Sequence, residues 1–174
     1  MPNPFAQALL FFRGGADGDE APIRVIQGPK TLLTYPTDNL VLDGVHREVF
    51  VAQSFTNSVF VFRSDVGGDV APIRIIRGPK TMLDRPIHVG VDPVNNLIAV
   101  TSNTGLWIFN RTDNGDVAPK WIIAAPNTGW ESTNTLEPCC YLLKERRSSR
   151  EGRSPWQARI GLSSECGSTA ITGT

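Results

Sequence analysis

The chain has little of what enzymes and disulfide-built domains rely on most. Two histidines and three cysteines are spread over 174 residues. Cys139 and Cys140 are adjacent and Cys166 stands alone, so no CxxC pair or Cys/His cluster offers zinc-ligand spacing. An odd cysteine count also argues against a disulfide framework. Net charge is absent too, because 17 basic residues balance 17 acidic ones, and the chain as a whole has no electrostatic pull on nucleic acid or an anionic membrane. Long apolar runs are missing. The stretch from Ala8 to Phe12 is too short for a signal h-region or a membrane span, and no basic residue precedes it, so a cytoplasmic location is the default expectation.

Catalytic motifs are equally scarce. Ser54 and Ser102 have no GxSxG context, and no glycine-rich phosphate loop opens a helix, so neither nucleophilic catalysis nor nucleotide binding has a motif to rest on. A helical 3.6-residue period does not survive anywhere between residues 8 and 124. The basic residues Lys144, Arg146, Arg147, Arg150, Arg153 and Arg159 are clustered, but only Trp156 is interleaved with them, and they read as a solvated tail.

What the chain does have is a repeat. Gly68 to Thr81 reads GDVAPIRIIRGPKT, Gly18 to Thr31 is nearly the same string, and a weaker copy begins at Gly115. Phe12, Gly18, Pro22, Gly28 and Pro36 recur as Phe62, Gly68, Pro72, Gly78 and Pro86, a constant offset of fifty. The next interval shortens one residue at a time at expected turns, where deletions disturb packing least. Each period predicts four short strands. The first is Thr37 to Leu42, repeated as Ile87 to Val91; the second is Glu48 to Gln53, repeated as Leu97 to Thr101. The third is Val59 to Arg63, with copies at Leu106 to Asn110 and Leu9 to Arg13. The fourth is Ile73 to Arg77, with copies at Ile23 to Gln27 and Lys120 to Ala124. These segments are rich in β-branched and aromatic residues and are bounded by glycine, proline and aspartate.

The turn chemistry assigns the fourth strand to an edge. Gly67 and Gly68 suit left-handed backbone, and Asp69 can accept from nearby amides. Pro72 removes a ladder donor, which an edge strand tolerates at its first residue. Arg74 and Arg77 then read as a solvated rim. Asp19, Asp69 and Asp116 recur in every copy, which points to the repeat's own turn. Four strands in about fifty residues is the size of one propeller blade. The predicted fold is therefore all-β: a partial β-propeller of four-stranded antiparallel blades with a poorly ordered C-terminal tail. Its repeat segment spans residues 1–128, with a half blade at 8–28 and blades at 37–78 and 87–124. Residues 129–174 are expected to be disordered or foreign to the repeat, as in a gene fragment that has lost its reading frame.

A strand ending in Val-Phe, a polar loop, Gly-Asp-x-Ala-Pro-Ile-Arg-x-Ile-x-Gly-Pro and then Pro-x-x-x-Val-x-Asp together resemble bacterial NHL-like repeat proteins of the six-bladed, TolB-like β-propeller class. The resemblance covers about residues 8 to 126. It implies a propeller fold and leaves function open, since such propellers include binding scaffolds, lactonases and other hydrolases, and members are often exported. A ring of six needs on the order of 250 to 300 residues at this period. Homo-oligomerisation is one way for two and a half blades to cover their open faces.

In this class a site lies at the mouth of the central channel. Asp38 and His88, each two residues after the equivalent prolines Pro36 and Pro86, are the candidates for a channel-facing acid, base or metal ligand. Two groups do not make a metal site, and no cofactor is expected. Asp43 and Asp92 read as Asx-type turns, and His46 as an exposed loop residue. Phe60, Phe62, Trp107 and Phe109 alternate along strands and read as core. The expected function is a non-enzymatic repeat module that binds a protein or small ligand, with neither nucleic acid nor membrane as partner. The alternative is a remnant or subunit of a metal-dependent, lactonase-like hydrolase.

Overall fold

A computed structural model of the chain describes residues 2–3, 7–34, 39–102, 105–124, 142–143 and 160–161. These form an all-β structure. The first sheet has the order β1 (Pro2–Asn3), β2 (Ala8–Phe11), β3 (Arg24–Gln27). Four strands in chain order make the second: β4 (Asn39–Asp43), β5 (Glu48–Gln53), β6 (Ser58–Arg63) and β7 (Arg74–Arg77). The third repeats it with β8 (His88–Asp92), β9 (Leu97–Ser102), β10 (Gly105–Asn110) and β11 (Trp121–Ala124). All neighbours within these sheets pair antiparallel. Beyond residue 128 the described residues form only a short ladder between β12 (Leu142–Leu143) and β13 (Ile160–Gly161). The predicted disorder of the rest of the tail lies outside the described residues.

The strands fall where the repeat predicts them, within a residue or two. β5 matches its predicted limits, and each fourth strand starts one residue later than expected. The ladder nevertheless reaches the predicted start: the amides of Ile23, Ile73 and Lys120 donate to the carbonyls of Phe11, Val61 and Ile108 at 2.8, 2.8 and 2.7 Å. The first unit has a third strand, because Pro2 and Asn3 pair with Leu9 and Ala8 in the place a second strand occupies in the later units.

Side-chain alternation stacks the three sheets face to face. On β5 and β6, Val49, Val51, Phe60 and Phe62 point toward the first sheet, where they cluster with Leu9 and Ile26. Phe50, Ala52, Val59 and Val61 point the other way and meet Val89, Ile98, Val100, Trp107 and Phe109 of the third sheet. Strand residues of alternating parity thus serve opposite seams. Phe50 and Phe62, both fully buried, each contribute roughly 1.5–3 kcal/mol of burial. The far face of the third sheet carries the same pattern, with Leu97, Leu106 and Ile108 clustered beside Ala99, Trp121 and Ile123.

Candidate functional site

Two ends of the stack bear loops. At one end lie the β4–β5 and β8–β9 turns, closed by Asp43 and Asp92 as predicted. Asp43 Oδ1 accepts from the amides of Val45 and His46 at 2.9 and 3.0 Å, and Asp92 Oδ1 from those of Val94 and Asn95 at 3.1 and 3.0 Å. His46 is half-buried, contrary to expectation, because its Nδ1 lies 2.7 Å from Asp43 Oδ2. Burial alone would raise the Asp43 carboxyl, but the His46 amide and ring and the Val45 amide outweigh it and hold the group below the ordinary aspartate value.

At the opposite end lie the β5–β6 turn and the connections between sheets. His88 opens β8 there, opposite Thr101, and is half-buried. Its predicted companion Asp38 lies outside the described residues. The neighbouring Asn39 on β4 reaches across the seam, its Oδ1 accepting from the amide of Val89 at 3.3 Å. Among the described residues, no group of three or more His, Cys, Asp or Glu is placed to hold a metal ion.

This end also presents apolar side chains that lie outside every predicted strand. Leu32 and Met82 are 52 and 58 % exposed, and Phe55 is 72 % exposed. Leu32 and Met82 follow the equivalent 3-10 turns Pro29–Thr31 and Pro79–Thr81, and both adopt left-handed backbone, with φ of 57° and 55°. Large non-glycine residues rarely hold that conformation. A shallow cavity of about 360 Å³ opens beside Leu32, lined also by Gln7, Gln27, Gly28, Pro29 and Leu33. The signal for these residues was their recurrence: a bulky apolar residue follows Gly-Pro-Lys-Thr in both copies, outside any strand.

The polar residues of the repeat turn out to join neighbouring sheets. Asp69 Oδ1 accepts from the amide of Lys30 at 2.7 Å, and Asp116 Oδ1 from that of Lys80 at 2.7 Å. Each aspartate therefore serves the previous unit's Gly-Pro-Lys turn, which corrects the expectation that it serves its own. Proline at the start of that turn has no N–H, so the lysine amide is the first donor available. Beside each aspartate, Gly68 and Gly115 pair in parallel with Ile26 and Ile76. The Gly68 amide donates to Val25 O at 2.7 Å and its carbonyl accepts from Gln27 N at 3.1 Å; Gly115 repeats both bonds with Ile75 and Arg77 at the same distances. Gly28 and Gly78, at φ of 134° and 137°, leave the space the carboxylates fill. A Cβ there would lie 2.5 Å from Asp69 Cγ or 2.4 Å from Asp116 Cγ.

Among the described residues, a buried ionic cluster adds to the second seam and not to the first. Glu48 Oε2 accepts from Arg74 at 2.8 Å and from Arg111 of the third unit at 2.6 Å, while Arg111 Nε donates to Asn96 Oδ1 at 3.1 Å. Arg74 is therefore an interior ion-pair residue, not part of a solvated rim; Arg77 is exposed as predicted. Desolvation would raise the Glu48 carboxyl, but the two guanidinium groups more than reverse this and lower it.

The described chain is thus an all-β protein of stacked, antiparallel sheets in which the recurring Asp69 and Asp116 join neighbouring units. No protein-family model matches it, and no curated protein does.

Proposed function

We propose that this chain is a non-enzymatic β-propeller repeat module, of the NHL-like, TolB-like kind, that binds a protein partner. The observation that carries the binding reading is the loop end bearing Leu32, Phe55 and Met82, each more than half exposed. Large exposed apolar side chains, two of them (Leu32 and Met82) on left-handed backbone, suit a protein interface, where such residues act as anchors. The propeller reading is supported by three sheets of one repeat that stack face to face through the same loop-to-strand contacts. The opposite end also exposes Leu42, Val45 and Val94, in or beside the turns closed by Asp43 and Asp92.

Screening peptide and small-molecule libraries by NMR shift perturbation tests the reading. Hits should map to residues 32, 55 and 82 and disappear in Phe55→Ser, with the remaining spectrum unchanged. Calcium- or zinc-dependent lactone hydrolysis, lost in His88→Ala, would instead establish the hydrolase alternative.

A further inference from the structure

The contacts that join successive units have two halves. One is a loop with the pattern x-Gly-Asp, and the other is an outer strand ending in Gly-Pro-Lys. The chain joins these halves twice, Gly68 and Asp69 to β3 and Gly115 and Asp116 to β7, with matching bonds. The residue before the glycine can add a further bond: Asn114 Oδ1 accepts from the Ile75 amide at 2.9 Å.

The first unit carries the loop half as well. Asp17-Gly18-Asp19 aligns with Gly67-Gly68-Asp69 and Asn114-Gly115-Asp116. Gly18 has φ of 60°, in the left-handed region that Gly68 and Gly115 occupy at 86° and 78°. Asp17 and Asp19 are exposed. Asp17 accepts only from the adjacent Gly18 amide, at 2.8 Å, and Asp19 makes no side-chain hydrogen bond among the described residues. We propose that this loop is a docking edge for the outer strand of another repeat unit, one ending in Arg-Gly-Pro-Lys. Gly18 pairs with the strand backbone, Asp19 accepts from the lysine amide, and Asp17 accepts from a strand amide as Asn114 does.

Sequence and charge choose this occupant over a second copy of the chain. In any copy, Gly28 and Gly78 are already engaged by Asp69 and Asp116, and the third outer strand runs on to Ala125-Pro126-Asn127 in place of Gly-Pro-Lys. At both engaged ends a Cβ would lie within 2.5 Å of the aspartate side chain, so an alanine end does not fit. The residue after the aspartate is Val70 or Val117 inside the chain, where it packs against the seam cores, and Glu20 in the first unit, where it pairs with Arg13 at 2.9 Å. The acidic loop complements a strand end that carries Arg and Lys.

The probe is a fluorescent peptide with the sequence of residues 73–81, titrated into the full chain and followed by anisotropy. Saturable binding is expected, with amide shifts confined to residues 14–20. The same peptide carrying Gly78→Ala should bind about tenfold more weakly or worse, and Asp19→Ala in the protein should cost a similar factor, the size of a lost charge-assisted hydrogen bond. Asp19→Asn, which keeps an acceptor, should recover part of the loss. Because Asp19 is exposed, neither variant threatens the fold. Binding that ignores Gly78→Ala or Asp19→Ala, or no saturation at all, overturns the proposal. So does dimerisation of the wild-type chain that Asp19→Ala abolishes while the peptide fails to bind, since the occupant is then a second copy.

Discussion

The two seams of this stack share one set of outer contacts and differ in what lies beneath. Both use a glycine-aspartate loop against a Gly-Pro-Lys strand end, with bond lengths that agree to the tenth of an ångström. Beneath the first, Arg24 sits over the Phe11 ring, 5.5 Å from its centre, with no carboxylate beside it among the described residues. Beneath the second, the equivalent Arg74 and its neighbour Arg111 converge on Glu48. The far face of the third sheet makes a third choice, with Leu97 and Trp121 at the positions of Glu48 and Arg74. The outer contacts fix register, and the layer below tolerates cation–π, ionic or apolar chemistry. Repeat proteins gain independence of their seams this way, each neighbour contact contributing its own increment.

The sharpest way to break this comparison is Glu48→Ala, which leaves the buried Arg111 and the half-buried Arg74 guanidinium groups without their carboxylate. Loss of one partner from a buried ion pair costs about 3–5 kcal/mol, and urea unfolding should read it. Acid acts on the same group. The folded carboxyl is lowered, so its stabilisation is complete above the unfolded glutamate value near 4.3 and is lost as pH falls below it. Hydrogen exchange between pH 5 and 3 should show amides of the second seam losing protection before those of the first, and Glu48→Gln should remove that ordering.

Gly28→Ala and Gly78→Ala come next and should cost about the same, roughly 2–3 kcal/mol each, because both place a Cβ against an aspartate at positive φ. A large inequality would show that the outer contacts are not equivalent after all. Asp69→Ala and Asp116→Ala remove the acceptor without adding a clash, so the expected loss is smaller, about 1–2 kcal/mol each by urea midpoint.

Much of this was legible in the sequence, and what was not has a common cause. Proline and glycine placed the strands because their backbone limits act locally: Pro72 and Gly78 bracket β7 whatever surrounds them. Asp43 and Asp92 were legible as turns for the same reason. The partners of Asp69, Arg74 and Glu48 lie between 26 and 63 residues away, and a repeated string does not say which copy touches which. Two signals pointed there nonetheless. Glu48 and Arg74 change together, to Leu97 and Trp121, as contacting residues do. Gly28 and Gly78 mark strand ends in the sequence, and a glycine kept between the strand and Pro-Lys in both copies also suggests a position with no room for a side chain. β1 is not legible in the sequence because two residues, one of them proline, give no alternation to read. The proposed pairing of Asp38 with His88 lies outside the described residues on one side.

The smallest effect is expected from the most drastic substitution. If the layer beneath a seam is interchangeable, converting the second seam's ionic cluster to an apolar one should succeed where removing Glu48 alone fails. Glu48→Leu with Arg74→Trp copies the chemistry found at positions 97 and 121, and Arg111→Met retires the remaining cation with a side chain of similar length. Replacing a complete buried ion cluster by packed apolar groups is commonly neutral or stabilising, because the desolvation cost of the charges disappears along with their attraction. The triple variant should therefore unfold within about 1 kcal/mol of wild type. It should also lose the acid-dependent ordering of the two seams, since no lowered carboxyl remains there. A triple variant as unstable as Glu48→Ala would mean that the cluster sets the geometry of its seam, and that the two seams are alike only at their outer edge.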